Sequence, residues 1–402
     1  MSKGNEFNYD TLYAKSAPKQ PPRAATVSRA KYDFAVAYPD PESLPLEELV
    51  ESLQDGLTNE GKELAVYPHQ MGYPPLREYV ARKLARDRGM NVTADDIILA
   101  DGSSQPLHMV GESLLDPGDV VLTEKFAYVG TLGMLRRFDA DIRGIDCDDD
   151  GMLPESIEQE IVRATSQGRK PKLIYTIPTF QNPLGWTMSL ERRIQLVELS
   201  QKYDVPILED DCYVDLRYEG DSVPAIYSLD NTGRVIYVAS FSKIIAPGMR
   251  LGYLVGPSGF LDVARATKSG GGVNQFAAFA VHRYALDGLD EHIEETKNIQ
   301  REKRDAMLAA LGENFGTEAK WSHPDGGLYI WLEMSPNVDL VSLQQIAFDA
   351  DVGYSAGVSF SADGEEGKNC ARLCFGYNTP SEIHEGIARL AEVFAKAGIL
   401  SK

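Results

Sequence analysis

The stretch Ser-Phe-Ser-Lys-Ile-Ile-Ala-Pro-Gly-Met-Arg-Leu-Gly-Tyr, residues 240–253, decides the fold of this chain. It follows an apolar run, residues 235–239, that is typical of a buried strand in a parallel sheet. Lys243 directly follows Ser242, which is separated from Ser240 by Phe241, and Arg250 follows in the same loop. A lysine amine can form a Schiff base, while hydroxyls and a guanidinium suit a phosphate. The stretch therefore predicts a site for a phosphorylated carbonyl cofactor at the end of a strand.

The bulk composition excludes several classes of partner. The chain has 402 residues, which predicts two lobes rather than one core. Its net charge of −20 leaves no basic surface for nucleic acid and disfavours docking on anionic membranes. We find no apolar run long enough to span a membrane and no signal-peptide core. We therefore expect no nucleic-acid or membrane partner.

The cysteines indicate the compartment and bear on metal binding. Only 4 cysteines occur, too few for a disulfide framework, so a reducing cytoplasm is expected. Cys370 and Cys374 have the spacing of a possible ligand pair, but the sequence offers no second pair or nearby histidine cluster. We expect no metal site.

At residues 240–253 the chain resembles the pyridoxal 5'-phosphate (PLP) enzymes of fold type I, in their class I/II aminotransferase branch. The likeness is to the subgroup with 2-aminoadipate and kynurenine aminotransferases and the effector domains of MocR-type regulators. It runs from about Phe34 to the C-terminus. It implies an α/β fold, with a mostly parallel sheet of the seven-stranded type in a large domain and a smaller α+β domain.

The resemblance also implies a division of the chain. Residues 1–30 are expected to form an N-terminal arm. Residues 31–60 together with 296–402 are expected to form the small domain, and residues 61–295 the PLP-binding large domain.

A second turn of the large domain fits a phosphate. The apolar run 97–100 is followed by Gly102, Ser103, Ser104 and Gln105. Glycine permits a sharp turn, and the free amides at a helix N-terminus bind anions. This turn resembles the family's Gly-Ser-Gln-Gln phosphate cup, with Ser104 replacing one glutamine.

The remaining phosphate and ring contacts are implied by the resemblance. Ser240, Ser242 and Arg250 are expected on the phosphate. Tyr67 matches the tyrosine that reaches the partner subunit's cofactor, which implies a homodimer; the alternative is an ordinary loop tyrosine. Tyr128 matches the aromatic residue that stacks on the pyridine ring; the alternative is a core aromatic.

Polar residues at two other strand ends complete the predicted cofactor site. Asn182, in an Asn-Pro turn, is expected to donate to the cofactor's phenolate oxygen and to contact substrate. Three consecutive carboxylates, residues 209–211, end another strand, and like charges that close repel each other. The family spacing Asp-x-x-Tyr selects Asp210, with Tyr213, as the partner of the pyridinium nitrogen. Asp211 is the alternative.

The predicted substrate contacts lie in the outer parts of the chain. Arg372 lies on one strand face with Cys370 and Cys374, where a guanidinium is costly to bury without an anion. It matches the family arginine that binds the substrate α-carboxylate; a structural salt bridge is the alternative. Ala37 and Tyr38 occupy positions near the substrate, with Ala37 where the family carries glycine, so we expect a narrowed site.

These residues predict a PLP-dependent aminotransferase acting on an α-amino acid and a 2-oxo acid. Lys243 is expected to hold PLP as a Schiff base and then to move the Cα proton, with Asp210 keeping the ring charged. The same residues also serve decarboxylases, lyases and enzymes that form C–C bonds. A non-catalytic PLP sensor of the MocR type is a further alternative, which the short segment before Phe34 and the negative charge disfavour.

Overall fold

The computed structural model describes residues 12–14 and 29–401. Most of the predicted N-terminal arm, residues 1–30, thus lies outside the described residues. The α-helices are α1 Leu46–Glu60, α2 Pro74–Arg88, α3 Ser104–Leu114, α4 Val129–Arg137, α5 Pro154–Ser166, α6 Leu190–Tyr203, α7 Ile226–Leu229, α8 Ser258–Thr267, α9 Gln275–Asp287, α10 Leu289–Phe315, α11 Gln344–Asp349 and α12 Pro380–Lys396.

The strands are mostly short and buried. They are β1 Tyr32–Asp33, β2 Ile97–Ala100, β3 Val120–Glu124, β4 Asp141–Ile145, β5 Cys147–Asp148, β6 Gly151–Met152, β7 Leu173–Thr176, β8 Ile207–Asp210, β9 Val235–Ser240, β10 Gly252–Val255, β11 Lys320–Trp321, β12 Tyr329–Glu333, β13 Val352–Gly353, β14 Ser355–Ala356 and β15 Cys370–Cys374. Single 3-10 turns lie at Pro41–Ser43, Gly61–Ala65, Ala94–Asp96, Phe241–Lys243, Pro247–Met249 and Gly357–Phe360.

A seven-stranded sheet forms the centre of the larger lobe. Its strand order is β2-β10-β9-β8-β7-β3-β4. The pairs among β9, β8, β7, β3 and β4 are all parallel, and only β10 runs antiparallel to its neighbours. Every residue of β9 is buried, as expected for a strand covered by helices on both faces. The predicted mostly parallel seven-stranded sheet is confirmed.

The second lobe is built on a four-stranded antiparallel sheet in the order β11-β12-β15-β14. Helix α12 packs on the 27-residue helix α10 beside this sheet. Strand β1 pairs with β13, which brings the N-terminal segment to this lobe, whereas α1 packs on α9 of the predicted large domain. Residues 31–60 therefore contact both lobes.

The parallel strands place their carboxyl ends on one edge of the central sheet. In open α/β sheets ligands bind at that edge, because the loops there diverge and leave a crevice. Among the residues that the structure describes, no helix is both long and apolar enough to cross a bilayer.

Candidate active site

A small cavity of about 120 Å³ lies at the carboxyl ends of the central strands. Most of its lining consists of residues that the sequence predicted for the cofactor site. The lining residues are Ala37, Ser103, Ser104, Tyr128, Ile177, Asp210, Cys212, Tyr213, Ser240, Ser242, Lys243, Pro247 and Arg250.

Lys243 reaches this cavity because β9 ends in a tight turn. The hydroxyl of Ser240 accepts a hydrogen bond from the amide of Ser242 at 3.0 Å and donates to its hydroxyl at 2.7 Å. Lys243 closes the resulting 3-10 turn, and its Nζ donates to the carbonyl oxygen of Ala37 at 2.7 Å. Burial lowers the pKa of Lys243, and the positive charges of Arg372 and Arg250 act in the same direction. A lowered pKa raises the fraction of neutral, nucleophilic amine.

An anion-binding corner lies on the other side of the cavity. Gly102 has a φ of +64°, and a Cβ at this position would lie 2.6 Å from Nη2 of Arg250. The same Nη2 donates to the carbonyl oxygen of Asp101 at 2.9 Å. Helix α3 begins at Ser104, so its free amides face this corner together with the guanidinium. Gln105 braces the turn instead of lining the cavity, because its Oε1 accepts from the Asp101 amide at 3.0 Å.

Asp210 ends β8 as a buried carboxylate with one free oxygen. Its Oδ2 accepts from the hydroxyl of Tyr175 at 2.9 Å, and that hydroxyl accepts from Thr131 Oγ1 at 3.0 Å. Its Oδ1 has no hydrogen-bond partner within the described part of the chain. Burial raises the pKa of Asp210 to about 6, although Cys212 and Tyr175 act in the opposite direction. A positively charged donor at Oδ1 would lower this pKa and hold the carboxylate in its charged form across neutral pH.

The two carboxylates beside Asp210 do not line the cavity, and each is held by other parts of the fold. Glu209 accepts from the amides of Ile226 and Tyr227 at 2.9 and 2.8 Å. Oδ2 of Asp211 accepts from Arg88 at 2.8 Å and from the hydroxyl of Tyr237 at 3.2 Å, while its Oδ1 has no hydrogen-bond partner among the described residues. Strand alternation thus leaves Asp210 as the carboxylate of this group that faces the cavity.

Arg372 and Asn182 lie together at the edge of the site. Nη1 of Arg372 donates to Asn182 Oδ1 at 3.2 Å, and Nη2 donates to the carbonyl oxygen of Ala35 at 2.5 Å. Within residues 29–401 the hydrogen-bond partners of Arg372 are uncharged. Its guanidinium lies 4.7 Å from the ring centre of Tyr329. Asn182 Nδ2 donates in turn to the hydroxyl of Tyr213 at 3.1 Å, so the amide bridges the arginine to the cavity.

The other predicted residues are placed at different distances from the cavity. Tyr128 caps the start of α4 and lines the cavity. Ala37 contributes its carbonyl, whereas Tyr38 packs edge-on against Tyr377 with ring centres 6.3 Å apart. Tyr67 is 100% exposed and does not line the cavity of its own chain.

Several residues of the site were missed from the sequence. Cys212 and Pro247 lie inside the quoted motifs, close in sequence to Asp210 and Lys243. That closeness could have predicted that they line the cavity. Tyr175 could have been found by strand alternation in β7. Tyr329 and Ser355 had no local signal, because only the packing of the second lobe brings them to Arg372.

Comparisons with known proteins identify the family of this chain. The family model "Aminotransferase class I and II" matches residues 35–390. An aromatic-amino-acid aminotransferase of Thermococcus litoralis is 35% identical over 362 residues, which cover 89% of this chain and 87% of the relative.

Two solved structures are similar over nearly the whole chain. The kynurenine aminotransferase of Pyrococcus horikoshii, in complex with PMP, superimposes with a TM-score of 0.91 at 35% identity, covering 97% of this chain and 98% of that one. The α-aminoadipate aminotransferase LysN of Thermus thermophilus, complexed with N-(5'-phosphopyridoxyl)-L-leucine, has a TM-score of 0.88 at 27% identity, covering 97% and 99%. The chain therefore belongs to the class I and II aminotransferases, a family of PLP-dependent enzymes, and has their fold.

Proposed function

We propose that this protein transfers amino groups between an α-amino acid and a 2-oxo acid with PLP, and that Lys243 binds the cofactor covalently. The observation that carries the proposal is the convergence of three groups on one cavity. These are the amine of Lys243, the Asp210 oxygen that has no hydrogen-bond partner among the described residues, and the anion-binding corner at Arg250. When bound, PLP supplies an electron sink for the negative charge that develops at the amino acid's Cα.

The donor set fits PLP group by group. A buried carboxylate oxygen without a partner is costly, and a protonated ring nitrogen would satisfy Asp210. Arg250, the hydroxyls of Ser240 and Ser242 and the N-terminus of α3 suit a phosphate. Tyr128 offers an aromatic face for the ring.

Lys243 also has the properties of the proton carrier. Its amine lies in the cavity, and burial lowers its pKa, so the neutral form is more available at neutral pH. A general base works best when its pKa lies near the working pH. We assign to Nζ the removal of the proton from the substrate Cα.

Arg372 supports an α-amino acid as the substrate. The guanidinium is 5% exposed and has only neutral hydrogen-bond partners among the described residues. Its planar fork can bind a carboxylate through two parallel hydrogen bonds. Asn182, which accepts from Nη1, restricts the direction in which the fork can point.

We further propose a homodimer in the cytoplasm. Tyr67 and Val66 form an apolar pair that is 100% and 61% exposed, as expected if the tyrosine reaches the cofactor of a second copy. The cysteines of the chain are free thiols, which supports a reducing compartment.

The proposal is tested by trapping the cofactor on the protein. The PLP-loaded protein is reduced with borohydride, digested and mapped by mass spectrometry. The pyridoxyl mass should lie on Lys243, and Lys243→Ala should carry none and should not exchange amino groups between an amino acid and a 2-oxo acid. The control is Lys125→Ala, which changes a half-exposed lysine paired with Glu366 at 2.8 Å. A pyridoxyl mass on Lys125 or Lys172 would contradict the proposal.

A further inference from the structure

Arg193 is a buried arginine outside the cavity, and none of the roles assigned so far explains it. Arg193 lies on α6 with 0% exposure. Its Nε donates to the carbonyl oxygen of Met188 at 3.1 Å and its Nη1 to that of Pro224 at 2.9 Å. Its Nη2 donates to the carbonyl oxygen of Pro178 at 2.8 Å and to Thr179 Oγ1 at 3.0 Å. One guanidinium thus joins three separate points of the backbone.

Two of these points are the ends of the loop that carries Asn182. Residues 178–188 form the loop between β7 and α6. Its two ends lie together, because the amide of Met188 donates to the carbonyl oxygen of Pro178 at 2.8 Å. Within the loop Phe180 has a φ of +51°, a conformation that non-glycine residues adopt only when their surroundings hold them there. Arg193 therefore ties the two ends of a strained loop together.

The third point belongs to the segment that follows β8. Pro224 lies beyond Tyr213 in that connection, and Tyr213 is the residue that Asn182 contacts at 3.1 Å. Arg193 therefore links the same two segments that also meet through the contact between Asn182 and Tyr213.

Stability alone is a poor explanation for this arginine. The nearest carboxylate, that of Glu209, is 3.9 Å away, and its oxygens already accept from two backbone amides. Removing a guanidinium from water costs several kcal/mol, which carbonyl contacts only partly offset. Burial accordingly lowers the pKa of Arg193 to about 10. An apolar side chain of similar length would avoid this desolvation cost, but it would leave the carbonyl oxygens of Met188 and Pro224 without the guanidinium donor and would no longer connect the two segments.

We propose that Arg193 is a positioning residue that holds Asn182 against Arg372 and Tyr213, by clamping both ends of the 178–188 loop. The effect on catalysis rests on the proposed function, because Asn182 acts there by restricting Arg372. The clamp itself is a property of the fold and is independent of the cofactor. Charge is not sufficient for this role, since a lysine ammonium cannot reach three carbonyls with the geometry of a planar fork.

The first test measures hydrogen exchange of the cofactor-free protein. Arg193→Lys and Arg193→Met should both speed amide exchange in peptides covering 178–188. The matched control is Arg77→Met, which removes another buried guanidinium, one that donates to the carbonyl oxygen of Ala94 at 2.8 Å. This control should leave exchange in the loop unchanged. Unchanged exchange in both Arg193 variants would overturn the clamp whether or not PLP is the cofactor.

The second test is a double-mutant cycle between Arg193→Met and Asn182→Ala in the PLP-loaded enzyme. Arg193→Met alone should lower kcat/KM for an amino acid roughly 10- to 100-fold, as expected when a contact group is displaced by about 1 Å. In the Asn182→Ala background it should cause no further loss, while its effect on Tm persists. Losses in kcat/KM that multiply would show that Arg193 does not act through Asn182.

If Arg193→Met fails to fold, Arg193→Lys takes its place in the cycle with the same expected outcome. Failure of the proposed function is seen separately, as a pyridoxyl mass on a lysine other than Lys243. In that case the exchange test still decides whether the clamp exists.

Discussion

Replacing Asp210 by asparagine should change how the stability of the cofactor-free protein depends on pH. Burial raises the pKa of Asp210 to about 6 from an ordinary value of 3.8. Between these two values the native carboxyl binds a proton that the unfolded chain has released. The resulting stabilisation is complete below the unfolded pKa and is lost as pH rises through the native pKa.

The magnitude follows from the difference between the two pKa values. Each pKa unit corresponds to about 1.36 kcal/mol, so complete titration of Asp210 removes about 3 kcal/mol from the free energy of unfolding. About 2 kcal/mol of this loss should fall between roughly pH 4.5 and 7.5. Glu124 and Glu209 are also buried, and burial raises the pKa of each to about 7. The informative quantity is therefore the difference between wild type and variant, in which the contribution of Glu209 cancels and that of Glu124 cancels apart from the minor effect of the Asp210 charge on its pKa.

The assay is urea unfolding of the cofactor-free proteins at both pH values, at one protein concentration because assembly would otherwise contribute. Wild type should lose more stability than Asp210→Asn on going to the higher pH, by about 2 kcal/mol. The control Asp149→Asn changes an exposed carboxylate and should behave as wild type. Equal pH dependence in wild type and Asp210→Asn would refute the reasoning.

Loading with PLP should reduce the pH-dependent loss of stability of the wild type. A protonated ring nitrogen at Oδ1 of Asp210 keeps the carboxylate charged, so the loss of stability with pH should shrink in the loaded wild type. Asp210→Asn should bind PLP more weakly and should lose roughly a hundredfold or more in turnover. A loaded wild type with the pH dependence of the cofactor-free protein would show that Asp210 does not meet the ring nitrogen.

Three further outcomes are expected. Arg372→Lys should raise KM for amino acids roughly 10- to 100-fold with cofactor absorbance intact, since a charged hydrogen bond is worth about 1.5–3 kcal/mol; unchanged KM would make Arg372 structural. Gly102→Ala should weaken PLP binding measured by absorbance titration, because the new Cβ meets Arg250 at 2.6 Å, and an unchanged affinity would contradict the anion corner. Light scattering should give twice the mass of one chain, and Tyr67→Phe should weaken PLP binding within an intact dimer; an active monomer would exclude the shared site.

The amino-acid sequence by itself determined the parts of this protein that local patterns encode. The buried run 235–239 followed by Lys243 specified a parallel strand and the reactive end of its loop, because strand and turn are set by neighbouring residues. The family spacing Asp-x-x-Tyr selected Asp210 rather than Asp211, and alternation along the strand predicted only that the two side chains point to opposite faces. Alternation also put Arg372 on one face of β15 with Cys370 and Cys374, but it could not show what that face meets, because every residue of β15 is buried.

Only the tertiary structure decided which distant groups meet. Arg372 contacts Asn182 across 190 residues of sequence, and Tyr175 reaches Asp210 across 35. Arg193 appears in the sequence as one of two adjacent arginines on an ordinary helix, and nothing local shows that it is fully buried beneath the Asn182 loop. A polar side chain's partner depends on which loops converge at a sheet edge. Which loops converge is set by the packing of the whole chain, so it cannot be predicted from the periodicity or motif spacing of the sequence.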